Sequence, residues 1–400
     1  MSSNTRSRSV GLALAAGVAL SSPVVHAGGK IAIDDTKWLS IGLGARTQYD
    51  TVEDAAPSGD EWSSDFSINS VRLYLNGQIT KHISFEVNTE CFSCSSGGQK
   101  ISLLDGIAKF SFAPEFNVWA GRMLAPSDRI EMSGPYYDMA YAFSKIGLFT
   151  AWPQDQATND FGVGSAGVYG RDHGVTVWGT TGPDGRFLYA VGVFNGIESA
   201  PGFGPNQDDH VLIASRFEYE FLNKEPAPWY YTGNTYYGGA GDIFTVGLAM
   251  QYQEDGAGSA ASPGDFFGVS VDVLFEKTLS TKGVFTVMGE YKNFDADLTP
   301  AALAAPDCYC IFDGDAWTMT VSYLFPDKIA WGQFQPYFRY SAIDPGAAIN
   351  TNSTDEYEFG VNYVIDGPNA KISLFWQNGD IVTGGANDVD ALTVALQFQL

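Results

Sequence analysis

The chain has 400 residues, with 22 lysines and arginines against 46 aspartates and glutamates, a formal charge of −24 at neutral pH. That balance excludes a nucleic-acid-binding surface, which needs a basic face. With 14% aromatic residues, 45 glycines, 17% charged residues and a mean hydropathy near zero, the chain is not disordered but suits a large all-β protein, soluble or membrane-spanning.

At the N-terminal end, Arg6 and Arg8 precede an apolar run from Val10 to Leu20, and Val25-His26-Ala27 offers a small-residue cleavage site before Gly28. This is the pattern of a secretory signal peptide over 1–27, leaving 28–400 as one mature domain. Its apolar run is too short to cross a bilayer as a helix, and no later run of about 18 apolar residues occurs. A mature chain that enters a membrane must do so as a closed barrel, which satisfies its backbone polar groups between strands.

From there the chain reads as segments of about ten residues in which apolar and polar residues alternate. Phe244, Val246, Leu248, Met250 and Tyr252 share one face and Thr245, Gln251 and Gln253 the other; Val269, Val271, Val273 and Phe275 continue the pattern. Trp317, Met319, Val321, Tyr323 and Phe325 oppose Thr318, Thr320 and Ser322. In the last segment Leu392, Val394, Leu396, Phe398 and Leu400 oppose Thr393, Ala395, Gln397 and Gln399. A one-residue slip would exchange the faces, so register is well specified. Short turn signals at 77–82, 113–115, 181–185, 278–283, 325–329 and 366–369 alternate with longer polar segments at 52–63, 196–208, 253–264, 294–312 and 342–353. The fold class is therefore all-β: a transmembrane antiparallel β-barrel of about sixteen strands, with short periplasmic turns and long extracellular loops.

One connection, 124–163, is far longer than the rest and third among the long ones, and loops of that length are usually functional. It mixes Tyr136, Tyr137, Tyr141 and Trp152 with Asp128, Arg129, Glu131, Asp138 and Lys145. The expectation is a loop that folds inward and narrows a pore. Arg122, Arg129 and Lys145 are the basic residues on or beside it and are candidate anion contacts, because a guanidinium fork matches phosphate or carboxylate. Asp128, Glu131 and Asp138 are the competing partners.

Alternation also puts Arg46, Arg72, Lys109, Arg216, Lys292 and Arg339 on the water-facing side, interleaved with Glu86, Asp105, Glu218, Glu220, Asp272, Glu290, Glu356 and Glu358. These rows either create a transverse field across a constriction or simply pair along the wall. The long segments carry acids with few basic partners, among them Glu53, Asp54, Asp208, Asp209, Glu254 and Asp255. They form a solvated rim, or a cation-attracting mouth whose divalent ions bridge to lipopolysaccharide.

Four cysteines stand as Cys91-x-x-Cys94 and Cys308-x-Cys310 in extracellular segments, where disulfides are expected. A 308–310 bridge looks strained, which favours a Cys91–Cys94 bridge or a link between loops, within or across protomers. A four-thiolate metal site would need both loops to meet. No nucleophile elbow, phosphate-binding Gly-Lys-Ser/Thr loop or His-Glu-x-x-His pair is present, so no catalytic residue, cofactor or metal is assigned.

The blocks Ser70-Val71-Arg72-Leu73-Tyr74-Leu75-Asn76-Gly77, Ile83-Ser84-Phe85-Glu86, Leu104-Asp105-Gly106 and Val118-Trp119-Ala120-Gly121-Arg122 resemble the N-terminal half of the phosphate-selective porin O and P family. The resemblance implies a homotrimer of sixteen-stranded outer-membrane barrels, each a passive channel for small hydrophilic solutes or inorganic anions, with an inward third loop. After Gly121-Arg122 this chain continues Met123-Leu124-Ala125-Pro126, without the family's lysine, so the architecture is carried over and the solute is left open. The alternative is a barrel that sheathes a periplasmic redox partner in an outer-membrane complex.

Overall fold

The computed structural model describes residues 29–91, 94, 101–141, 170–226, 230, 232–310, 313–346, 353–379 and 389–400. The expected leader over 1–27, Lys145 and Trp152 lie outside these residues. A short strand β1 (Gly29–Ala32) precedes β2 (Trp38–Val52), β3 (Ser63–Thr80), β4 (Ile83–Cys91), β5 (Ile101–Ala113), β6 (Phe116–Leu124), β7 (Arg171–Thr181), β8 (Phe187–Phe194) and β9 (Leu212–Glu220). Then follow β10 (Ile243–Ser259), β11 (Ser262–Thr278), β12 (Val284–Asp295), β13 (Gly314–Leu324), β14 (Gln333–Pro345), β15 (Thr354–Asp366), β16 (Ala370–Gly379) and β17 (Val389–Gln399). From β2 onward each strand pairs antiparallel with the next, and β17 returns to β2 from Ala391–Val52 to Gln399–Gly44. The result is a closed sixteen-stranded antiparallel barrel with no open edge along its main ladder. β1 pairs with β2 beside that closure.

Period-2 patterning builds the wall. In β17 the inward Ala391, Thr393, Ala395, Gln397 and Gln399 are buried, while Leu392, Val394, Leu396 and Phe398 are exposed. The apolar outer face is therefore the surface for lipid. Aromatics band it near both ends: Trp317, Tyr340 and Tyr357 pack as tilted rings toward the long-loop rim, with ring centroids 4.9 and 4.7 Å apart. Phe334 and Tyr363, 5.1 Å apart, do the same near the short-turn rim. Amphipathic rings at these two heights suit the membrane interfaces.

Two connections differ from the sequence reading. The segment 253–264, expected as a loop, is a tall hairpin: β10 and β11 run to Ser259 and Ser262, with a bulge between Gln253 and Ala257. Conversely, residues 221–242 join β9 to β10 on the rim where the other turns are short.

The apolar core lies inside the barrel, between wall and inserted chain. Ile130, Met139, Ala140 and Tyr141 pack with Leu104, Phe375 and Ala395 in one cluster. Tyr230 packs with Met123, Leu124 and Trp119 in another.

Candidate pore constriction

The connection after β6 forms a short helix, α1 (Arg129–Tyr137), kinked at Gly134, where φ is 62°. Asp128 caps it by accepting from the Glu131 N–H at 2.9 Å. Lys292 Nζ on β12 donates to Asp128 at 2.8 Å and lies 2.9 Å from Glu290, which accepts from the Ile130 N–H at 3.0 Å. Burial pushes the Asp128 carboxyl up, but the Lys292 ammonium together with the hydrogen bonds the carboxyl receives holds the group below the usual carboxylate range.

Arg129 is fully buried. Its two terminal nitrogens donate to the two oxygens of Glu225 at 2.9 and 2.7 Å, a bidentate fork. It also reaches Gly233 O at 2.9 Å, Asp272 at 3.2 Å and Glu218 at 3.5 Å. Burial raises the Glu225 carboxyl, yet Arg129 brings it below its ordinary value. Beside it Arg216 bridges Asp272 and Glu218, each at 2.6 Å, and donates to Ser127 O at 3.1 Å. Gly247 on the intervening strand makes room, since a Cβ there would stand 2.6 Å from both Arg216 Nη2 and Asp272 Oδ2.

On the opposite wall the partners are different. Arg46 donates to Tyr141 O, and its guanidinium lies 4.0 Å from the Tyr141 ring centroid. Lys371 Nζ donates to Asp138 O at 2.8 Å and Met139 O at 3.1 Å. Gln397 and Asn362 donate to Tyr136 O and Met139 O. Arg72 pairs with Glu90 and lies 5.1 Å from the Tyr136 ring, which occupies the space left by Gly44. Residues 128–141 thus bond to inward-facing side chains on β9, β11 and β12 and on β2, β15, β16 and β17.

Of the remaining wall charges, Lys109 pairs with Glu86, Arg171 with Asp105 at 2.8 Å, and Arg339 with Glu356 and Glu358. Glu131 is buried beside Gly170. Arg122 does not join Arg129. It shares the outward parity of Phe116 and Val118, opposite His173, and its Nε donates to Leu103 O at 3.3 Å. The cysteines close within their own loops, Cys91 to Cys94 and Cys308 to Cys310, with Cα separations of 5.6 and 5.2 Å. The second pairing corrects the expectation that Cys308 and Cys310 find partners elsewhere, since their Cα atoms lie within bridging range.

Sequence reasoning missed Lys371, although its alternation with Ser373 and Gln377 marked the inward face. It also missed segment 221–242, whose signal was the unusual interval before Ile243. That segment brings Glu225, Tyr230 and Asn234 to the site. Glu276 fixes its far end by accepting from Thr235 Oγ1, Tyr236 N and Gly238 N at 2.7, 2.9 and 2.8 Å. At the long-loop rim Asp208, His210 and Asp255 bring atoms able to ligate a metal within 4.8 Å of one another.

The barrel is similar to an anion-selective porin from Comamonas acidovorans (TM-score 0.57, 13% identity, 91% of this chain and 100% of that one). It is also similar to outer-membrane-expressed OmpT of Vibrio cholerae (0.54, 12%, 92% and 100%) and to Salmonella typhi OmpF in complex with daunomycin (0.52, 13%, 92% and 100%). No curated protein matches the chain in sequence. The family model for phosphate-selective porin O and P matches residues 41–400, and with the barrel it shows that the chain belongs to this family and is a passive outer-membrane channel.

Proposed function

We propose that the channel passes small hydrophilic solutes through a lumen narrowed by its third extracellular loop, with a preference for inorganic anions such as phosphate. The observation that carries the anion part is the Arg46–Lys371 flank. There, among the described residues, the cations meet carbonyl dipoles and a ring face rather than carboxylates in ion-pair contact. Cations held by dipoles keep their net charge available to an anion. Arg129, one of the three candidates from sequence, is neutralised by Glu225, Asp272 and Glu218.

A second reading has its own support: inward-facing buried carboxylates outnumber basic groups, which favours cations. Reversal potential in planar bilayers under a KCl gradient decides. A chloride-ward potential that collapses in Lys371→Gln and Arg46→Gln supports the anion reading, and a potassium-ward potential overturns it. The chain works without catalysis, as a homotrimer bedded in outer-membrane lipid and lipopolysaccharide. A related fold from Vibrio cholerae is known in a trimer form (TM-score 0.51, 11% identity). Native mass spectrometry in detergent tests this, with a monomeric mass as the contrary result.

A further inference from the structure

The third loop and segment 221–242 enter the barrel from opposite rims, because consecutive connections of an antiparallel barrel alternate between its two ends. They meet inside. Glu225 takes Arg129 in the bidentate fork, Gly233 O accepts from the same guanidinium, and Asn234 N donates to Tyr137 O at 3.2 Å. Asn234 Nδ2 donates to Asp138 at 3.1 Å and to Ser133 at 3.4 Å. Tyr230 accepts from Leu124 N at 3.0 Å and donates to Asp105. Segment 221–242 is anchored independently of the loop, through Glu276, through Asp242 to Lys277 at 2.7 Å, and through Glu220, which accepts from Glu225 N. Tyr237 packs on Val284, Leu324 and Val364 across the barrel floor.

From this arrangement we infer that Glu225 is a positioning residue of the channel: a periplasmic connection clamps the third extracellular loop through the Glu225–Arg129 pair, and the two together set the width of the pore. The inference rests on the channel reading. A loop held only by its own ends would sample several positions in a water-filled lumen. A loop bonded through a desolvated fork to a second anchored segment has one position, because separating the pair leaves the buried Glu225 carboxylate without its guanidinium.

The test is single-channel recording in symmetric KCl for the wild type, Glu225→Gln, Glu225→Asp and Asn234→Ala, with heat-modifiable gel migration as the assembly check. Glu225→Gln is expected to raise conductance at least twofold and to add open-channel current fluctuation. Glu225→Asp, which keeps the charge, should recover part of the quiet wild-type level. Asn234→Ala leaves no buried charge behind and should show a smaller change of the same sign; it carries the test if Glu225→Gln does not assemble. Wild-type conductance and noise in every assembled variant overturn the clamp while leaving the channel reading intact. A silent wild-type protein overturns both.

Discussion

On the lumen flank built by β9 to β12, Arg129, Arg216 and Lys292 each meet at least one carboxylate at 2.6–2.9 Å. On the flank built by β2, β16 and β17, Arg46 and Lys371 instead donate to backbone carbonyls of residues 138–141. Both flanks hold buried cations, and both grip the same loop. The first cancels charge and so acts as a framework whose cost appears only when a partner is removed. The second satisfies its hydrogen bonds through carbonyls, and on the anion reading proposed above its cations act on a permeating ion. Candidate ion contacts are therefore better sought among cations held by dipoles than among those with the shortest ion pairs.

The largest expected effect breaks the first flank. Arg216→Ala leaves Asp272 and Glu218 facing each other with Arg129 as their remaining cation, and should cost on the order of 3–5 kcal/mol. Guanidinium unfolding of the protein in lipid vesicles measures it, and a cost below about 1 kcal/mol would contradict the framework role. The next effect contrasts wall with lumen at adjacent residues of β17. Leu396 faces lipid and Gln397 donates to Tyr136 O. Leu396→Lys puts a cation in lipid, at a cost that runs from about 0–1 kcal/mol at the interface to about 2–4 kcal/mol at the midplane, whereas Gln397→Lys keeps a donor for the Tyr136 and Pro368 carbonyls inside the barrel. Equal losses in the two variants would show that the faces are misassigned.

The wall was legible in the sequence because period-2 alternation is a local property: the inward Thr245, Gln251 and Thr393 and the outward Leu248, Val271 and Leu396 all fall where their parity puts them. The closed sixteen-stranded barrel follows from such segments and their alternating connections. What was not legible depends on side chains far apart in sequence. Arg129 read as an anion contact or as a partner of the nearby Asp128, Glu131 or Asp138, because Glu225 and Asp272, which neutralise it, lie 96 and 143 residues away. Arg122 looked luminal by proximity to the loop, but strand parity puts it outside. The 253–264 stretch read as a loop because it is polar. In the fold Gly256 falls within the bulge between Gln253 and Ala257, and Gly258, paired with Pro263, takes φ 89°.

The second flank is sharpened by removing charge and geometry separately. Lys371→Gln keeps a donor for Asp138 O and Met139 O but deletes the charge. A unit charge about 10 Å from a permeating ion is worth roughly 0.4–1.7 kcal/mol between effective dielectric constants of 80 and 20. Because the charge attracts chloride and repels potassium by that amount, the chloride-to-potassium permeability ratio should fall by a factor of at least about 4, read from the reversal potential. An unchanged ratio would remove Lys371 from the permeation path.

The smallest effect comes from Arg46→Lys, which keeps the charge and gives up the planar fork over Tyr141. Cation–π contacts of this kind are worth about 0.5–1 kcal/mol at exposed sites and more when desolvated, and an ammonium retains much of the attraction. The stability change should therefore stay near 0.5 kcal/mol, and the permeability ratio should stay within about twofold of wild type. If Arg46→Lys altered selectivity as strongly as Lys371→Gln, guanidinium shape rather than charge would govern that flank. Arg46 would then be a fork for oxyanions, and the effect should be larger in phosphate than in chloride.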